Sequence, residues 1–141
     1  MKPSRPLVVR SDDVSRRDSR TLLVDVDITR GGLIAEQLNH AGFKTDFAVD
    51  WAVAHAALKA HHYNSCVVVA DLSKSTQLAR LAALRRAALR VWIIVLTDLR
   101  EDQALVLSHR QGADAVLSTP FALSDLTWRL SAFSLRARPS F

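Results

Sequence analysis

The sequence is poor in the residues that mark several classes of protein. Its 141 residues include one cysteine, four glycines and four prolines, which excludes an internal disulfide and a collagen-like repeat. No apolar run approaches the roughly 18 residues that a membrane-spanning helix needs. The start Met1–Pro6 leads into a polar segment instead of an apolar signal core. We therefore expect one globular domain in the cytoplasm, with no membrane partner.

Positive charge is in excess, but its pattern does not indicate a nucleic-acid partner. Lys and Arg number 19 against 14 Asp and Glu, which gives a formal net charge of +5. The arginines cluster in residues 5–20, 80–90 and 136–138. We find no helix-turn-helix pattern, no zinc-finger spacing and no aromatic residues interleaved with the arginines. The charge therefore predicts a solvated basic surface and not a nucleic-acid interface.

Short apolar runs alternate with longer helical patterns from residue 21 onward. Predicted strands cover residues 22–26, 45–49, 66–70, 91–96 and 115–117, and predicted helices cover 30–41, 51–61, 76–89, 102–111 and 124–136. Strict alternation is typical of an α/β fold whose parallel sheet is covered on both faces. Gly42 and Gly112 are the expected C-terminal caps of two helices, and Ser124 is the expected N-cap of the last helix. Cys66 lies in an apolar strand and is expected to be buried.

Three segments divide the chain. Residues 1–19 contain Pro3, Pro6 and a run of mixed charges, and they are predicted to form a flexible basic N-terminal arm. Residues 20–138 are predicted to form the folded domain, and residues 139–141 are predicted to be a short C-terminal tail.

Polar side chains follow four of the predicted strands at their carboxyl ends. Asp25 and Asp27 follow the first strand, Asp71 the third, Thr97 the fourth and Thr119 the fifth. In a doubly wound sheet these strand ends share one edge, where ligands usually bind. The sequence therefore predicts a polar site at this edge.

The order of these motifs resembles the receiver domain of bacterial two-component response regulators. The matching segments lie within residues 21–136 and are Leu-Leu-Val-Asp at 22–25, Val-Val-Val-Ala-Asp-Leu-Ser at 67–73, Trp-Ile-Ile-Val-Leu-Thr at 92–97 and the segment 112–121 that ends in Pro-Phe. The resemblance implies a flavodoxin-like, doubly wound, five-stranded parallel sheet of order 2-1-3-4-5. It also implies five helices in a three-layer α/β/α arrangement.

The resemblance implies phosphoryl transfer from a phosphohistidine to an aspartate in a two-component phosphorelay. By position, Asp71 is the phosphoacceptor and Thr97 is the switch hydroxyl. In this family two acids after the first strand bind Mg²⁺ together with the phosphoacceptor, which by position gives Asp25 and Asp71 here. A lysine before the final Pro-Phe then pairs with the phosphoryl group.

Three positions depart from this family pattern. Val26 stands where the second acid is expected, and valine has no oxygen for a hard cation. Thr119 stands at the lysine position, and Val116 replaces the rotating aromatic residue. We therefore expect an atypical, degenerate receiver domain with weak or lost Mg²⁺ binding. Such a domain acts through protein–protein interaction and is not an enzyme.

The resemblance also implies the kinds of partner. These are a sensor histidine kinase or phosphotransfer protein, a downstream signalling protein, and a second copy bound through the fourth helix, fifth strand and fifth helix. The candidate residues on that face are Ala104, Leu105, Leu107, Val116 and Trp128, although packing in the core is the favoured explanation for each of them.

An enzymatic alternative remains open from the residues. The segment Asp-Val-Asp-Ile-Thr at 25–29 resembles the Asp-x-Asp-x-Thr motif of haloacid dehalogenase-type phosphatases. In such an enzyme Asp25 is the nucleophile and Asp27 the general acid. Ile28 stands where that motif usually has glycine, and no later lysine with an acidic pair is evident.

Overall fold

Six strands and five helices lie in the described part of the chain, and from the second strand onward strands and helices alternate. The computed structural model describes residues 8–9, 20–135 and 138–139. The strands are β1 (Val8–Val9), β2 (Arg20–Val24), β3 (Lys44–Ala48), β4 (Ser65–Val69), β5 (Trp92–Thr97) and β6 (Ala115–Ser118). The helices are α1 (Ile28–His40), α2 (Trp51–Ala60), α3 (Ser75–Ala87), α4 (Glu101–Arg110) and α5 (Leu123–Ser134). All ten predicted elements are present, with ends displaced by at most two residues.

The sheet order is β1-β3-β2-β4-β5-β6. Strands β2 to β6 are parallel, and their order is the predicted 2-1-3-4-5. The predicted doubly wound, flavodoxin-like topology is therefore confirmed. Strand β1 adds a short antiparallel pairing at the edge, with Val8 opposite Ala48 and Val9 opposite Phe47. We did not predict this strand inside the N-terminal arm; the rest of segment 1–19 lies outside the described residues, as do 136–137 and 140–141.

Two apolar clusters lie on opposite faces of the sheet. Leu22 and Val24 of β2 belong to the cluster that contains side chains of α2, α3 and α4. Leu23, between them, belongs to the cluster that contains side chains of α1 and α5. Because successive side chains of a strand point to opposite faces, one run of buried residues serves both layers. Cys66 is fully buried in the first cluster, as predicted.

Helix ends agree with the predicted caps in two places and differ in one. Gly42 and Gly112 both have φ of +99°, a left-handed conformation that favours glycine. The prediction that Ser124 caps the last helix is wrong, because α5 begins at Leu123 and its N-cap is Ala122, without a side-chain cap hydrogen bond. Leu123 packs against the second apolar cluster, so tertiary packing sets this helix start. Within the described part of the chain, no helix is long and apolar enough to cross a membrane.

Candidate functional site

A pocket of about 260 Å³ lies at the carboxyl edge of the sheet, beyond the ends of β2, β4, β5 and β6. Its polar lining consists of Arg30, Asp71, Gln77, Thr97, Asp98 and Thr119. Its apolar lining consists of Val26, Ile34, Val69, Ala70, Leu96 and Phe121. The structure therefore brings together Asp71, Thr97 and Thr119, which the strand ends predict to converge. Asp25 is not among the residues that line the pocket, and it is fully buried.

The buried Asp25 carboxylate is held by a bidentate ion pair with Arg30. Arg30 Nε donates to Asp25 Oδ2 at 2.7 Å, and Arg30 Nη2 donates to Oδ1 at 2.7 Å. The backbone N–H of Asp27 also donates to Oδ1, at 2.9 Å. The hydrogen bond to Asp25 is the main reason that the pKa of Arg30 lies above its ordinary value. Both oxygens of Asp25 therefore have charged or backbone donors.

The turn between β2 and α1 positions Arg30. Strand β2 ends at Val24, and Asp27 is the N-cap of α1, where its Oδ1 accepts from the backbone N–H of Arg30 at 3.0 Å. Next in the helix is Gly31, where an added Cβ would lie 2.8 Å from Cβ of Asp25. The absence of a side chain there lets α1 approach β2 closely, and this brings Arg30 to Asp25.

Asp27 does not have the geometry that its sequence position suggests. The predicted first strand extends to residue 26, which would place Asp27 on the same side as Asp25. The chain leaves the strand after Val24, so Asp27 caps a helix instead. Since Asp25 is bound by Arg30 and Asp27 caps α1, the two carboxylates do not form the nucleophile and acid pair of the phosphatase alternative.

Asp71 lies at the rim of the pocket, two residues after the end of β4, with half of its side chain exposed. Its Oδ1 accepts from Ser73 Oγ at 2.6 Å and from the backbone N–H of Ser73 at 3.1 Å. Lys74 Nζ is 4.0 Å from Oδ2. These interactions, above all the Ser73 hydroxyl, hold the pKa of Asp71 below its ordinary value. Asp71 is therefore an accessible carboxylate in its ionised form at neutral pH.

The opposite wall of the pocket comes from the ends of β5 and β6. Thr97 is buried, and its Oγ1 accepts from the backbone N–H of Leu99 at 3.3 Å. Thr119 donates its hydroxyl to Asp98 Oδ1 at 2.5 Å, and its backbone N–H donates to the carbonyl of Thr97 at 2.8 Å. The peptide bond between Thr119 and Pro120 is cis. The Thr119 position therefore contributes a hydroxyl bound to a carboxylate, and no positive charge.

The five residues predicted for an interaction face divide between core and surface. Ala104 and Val116 are buried in the first apolar cluster, so they are core residues and not part of an exposed interaction face. Leu107 is half-buried against the same cluster. Leu105 of α4 and Trp128 of α5 are 54% and 70% exposed, which leaves both available to a partner.

Comparisons with known proteins agree with this architecture. No family model matches the chain. The swarming motility regulation protein RssB of Serratia marcescens is 31% identical over 115 residues, which are 82% of this chain and 52% of that protein. The transcriptional regulatory protein RprY of Bacteroides fragilis is 27% identical over 119 residues, which are 84% of this chain and 50% of that protein. The chain spans about half the length of the curated relatives that it matches.

Solved structures give the same topology. The receiver domain of the Francisella response regulator 1452 superposes with a TM-score of 0.72 at 22% identity, covering 84% of this chain and 98% of that one. A response regulator from Burkholderia pseudomallei, solved with a phosphorylated aspartic acid, a calcium ion and citrate, has a TM-score of 0.67 at 23% identity, covering 80% and 66%. Sheet order and pocket position thus define a flavodoxin-like α/β domain with its polar site at the carboxyl edge. The curated relatives and the solved structures together support a receiver domain of the kind found in two-component response regulators.

Receiver domains typically bind Mg²⁺, so the residues at the pocket can be tested against a divalent cation. Both oxygens of Asp25 are occupied by Arg30, and the 58% exposed side chain of Val26 offers no oxygen. Oδ1 of Asp71 is engaged by Ser73. Among the described residues, no group of three or more His, Cys, Asp or Glu side chains is arranged to hold a metal ion. The residues present therefore do not fit a divalent cation.

Sequence reasoning missed Arg30. The sequence places it three residues after Asp27, in the first turn of a predicted helix, but its partner depends on how closely that helix approaches β2. A signal was available nonetheless, because an arginine five residues after a buried strand-end acid is within reach once a helix starts between them.

Proposed function

We propose that this receiver domain is a degenerate signalling module. In this proposal the phosphoryl switch is impaired, and the domain acts through protein–protein contacts in the cytoplasm without enzymatic turnover. The observation that carries the proposal is the hydrogen bond from Thr119 to Asp98. A side chain at the family's lysine position binds a neighbouring carboxylate and brings no positive charge toward Asp71.

The interactions lost at positions 26 and 119 are strong enough to impair a phosphoryl switch. Charge-assisted hydrogen bonds contribute about 1.5–3 kcal/mol each. Thr119 removes the lysine contact, and Val26 removes a carboxylate ligand for the cation. Two such losses amount to about 3 kcal/mol or more, which corresponds to an aspartyl-phosphate state disfavoured by about a hundredfold or more.

Asp71 remains the residue that would accept a phosphoryl group. Its side chain is half exposed and ionised, and it lies in the same pocket as Thr97. We propose that Asp71 is the phosphoacceptor position and Thr97 the switch hydroxyl of a weak site. The partners are a sensor histidine kinase or phosphotransfer protein and a downstream signalling protein.

The contact surface in this proposal is the face of α4, β6 and α5. Leu105 and Trp128 are large apolar side chains exposed on it, and such residues favour a protein partner, including a second copy of the chain. Leu105→Glu and Trp128→Glu should each weaken self-association or partner binding in sedimentation equilibrium. Leu33→Glu on α1 is the matched control, because Leu33 is also 54% exposed. Equal loss in all three variants would contradict this surface.

The switch is tested with beryllofluoride, which mimics an aspartyl phosphate. Amide NMR spectra of wild type and Asp71→Asn are recorded with Mg²⁺ alone and with Mg²⁺ plus beryllofluoride, and an unrelated receiver domain with all acids and the lysine serves as positive control. We expect no saturable shifts in wild type up to millimolar ligand. Saturable shifts around Asp71 and Thr97 that disappear in Asp71→Asn would show a working switch and overturn the proposal.

A further inference from the structure

We infer that the guanidinium of Arg30 takes the place of the divalent cation in this domain, so that the pocket keeps its charge balance and its fold without a metal ion. The inference rests on the proposed function, since it concerns the same degenerate site. It adds a resident organic cation to that site and makes the domain indifferent to Mg²⁺.

The ion pair between Arg30 and Asp25 satisfies the buried carboxylate without a metal ion. Asp25 is fully buried, and a buried carboxylate requires a positive partner or a metal ion. Arg30 meets this requirement with two parallel N–H···O bonds of 2.7 Å, the geometry in which a guanidinium binds a carboxylate most strongly. A metal ion would compete with one of these bonds at either oxygen.

The surrounding turn holds Arg30 in place through its backbone. The Asp27 side chain accepts from the N–H of Arg30, and the Asp27 N–H donates to Asp25. At Gly31, an added Cβ would come within 2.5 Å of the Phe47 ring, so a side chain there would push α1 away from the strand. Residues 25–31 thus form a closed turn around the ion pair.

The guanidinium of Arg30 also lies at the pocket where a metal ion would bind. Arg30 lines the pocket together with Val26, Asp71 and Asp98, and its side chain is half exposed there. Val26 supplies no ligand for a metal, and with an internal cation on Asp25 no second acid is needed for charge balance. Arg30 therefore provides the positive charge that Asp25 requires. Val26 offers no oxygen that could help a metal ion to compete with Arg30.

Thermal unfolding with and without Mg²⁺ tests this inference. Wild type, Arg30→Met and Arg80→Met are compared in chelator and in millimolar MgCl₂ at matched ionic strength. Arg80 is the matched control, since it lies exposed within α3 and its side chain has no hydrogen bond or ion pair with the described residues. We expect the Tm of wild type and Arg80→Met to be unchanged by Mg²⁺. The Tm of Arg30→Met should fall by roughly 5–10 °C in chelator, because Asp25 loses its partner.

Metal should then recover stability where the guanidinium has been removed. We expect Mg²⁺ to raise the Tm of Arg30→Met saturably, and to raise it further when Val26→Asp adds a second acid. Addition of Asp25→Asn to Arg30→Met, with or without Val26→Asp, should abolish the rise in Tm with Mg²⁺. A saturable rise in the Tm of wild type with Mg²⁺ would overturn the inference. So would a folded Arg30→Met variant with wild-type Tm and no Mg²⁺ response.

Two further measurements decide the matter if Arg30→Met does not fold. Arg30→Lys keeps the positive charge but cannot form the two parallel hydrogen bonds to Asp25, so its Tm should be lower than that of wild type. An equal Tm would contradict the inference. Amide shifts of wild type on addition of Mg²⁺ alone should be absent at residues 25–31, and saturable shifts there would refute it.

The two proposals fail in different ways. Beryllofluoride binding at Asp71 in the absence of Mg²⁺ would overturn the impaired switch and leave the assignment of Arg30 intact. Mg²⁺ binding to wild type without any beryllofluoride response would overturn the assignment of Arg30 and leave the impaired switch intact.

Discussion

Replacement of Asp114 by alanine should destabilise the fold strongly. Asp114 precedes β6, and its carboxylate accepts from Arg85 Nη2 at 2.7 Å, from the backbone N–H of Ile93 at 2.9 Å and from Arg138 Nε at 2.9 Å. The side chains of Arg85 and Asp114 are only 11% and 14% exposed. The Asp114 carboxylate thus connects Arg85 of α3, Ile93 of β5 and Arg138.

The expected loss of stability depends on the charged and polar groups that lose the Asp114 carboxylate as a partner. Removal of one member of a buried ion pair costs about 3–5 kcal/mol. Arg85 keeps hydrogen bonds to the carbonyls of Gly112, Ala88 and Val91, so the lower part of that range applies. Burial lowers the pKa of Arg85 despite the adjacent Asp114, which indicates that desolvation of this guanidinium is only partly offset. We therefore expect Asp114→Ala to lower the free energy of unfolding by about 3–4 kcal/mol.

Urea denaturation followed by circular dichroism measures this loss. The control is Asp102→Ala, which removes an ion pair with Arg100 whose side chains are 67% and 78% exposed, and this should cost under about 1 kcal/mol. Asp114→Asn keeps the shape and one acceptor, so it should fall between the two. Equal losses for Asp114→Ala and Asp102→Ala, at an unchanged denaturant slope, would refute the reasoning.

Two further predictions concern tight packing and a buried thiol. Gly31→Ala should lower stability by about 1–3 kcal/mol, because the new Cβ would lie 2.5 Å from an aromatic ring and 2.8 Å from Cβ of Asp25. Gly32→Ala has open space at its Cβ and should be neutral or stabilising in thermal unfolding; the opposite order of the two variants would contradict this. Burial raises the pKa of the Cys66 thiol to about 12, so this thiol stays protonated in the folded protein. In the unfolded chain a cysteine thiol ionises with a pKa of about 8.5, so the free energy of unfolding should decrease as the pH rises above that value. Ellman's reagent at neutral pH should modify Cys66 only after denaturation, and rapid reaction of the native protein would exclude its burial.

Most of the fold was predictable because its strands are buried on both faces. Residues 22–24 and 66–68 are all nearly inaccessible, and such strands appear in a sequence as unbroken apolar runs. The residues after these runs, Asp71, Thr97 and Thr119, line one pocket because parallel strands end at a common edge. The two-residue strand β1 was not predictable, since Val8–Val9 is too short to show a period.

Local polar groups were less predictable because their partners are distant in the chain or depend on a turn. Ser124 has the chemistry of an N-cap, yet packing of Leu123 starts α5 earlier. Asp27 has the spacing of a second acid on a strand, yet the chain turns after Val24 and makes it a helix cap.

The sequence alone determined the α/β class, the strand order implied by the family resemblance, and the absence of an acid at Val26 and a lysine at Thr119. These properties depend on hydrophobic periodicity and on side-chain identity, which are local. Only the tertiary structure decided that Asp25 is fully buried and that Arg30 holds both of its oxygens. That pairing requires α1 to approach β2 at Gly31, and the distance between a helix and a strand is a property of the packed fold.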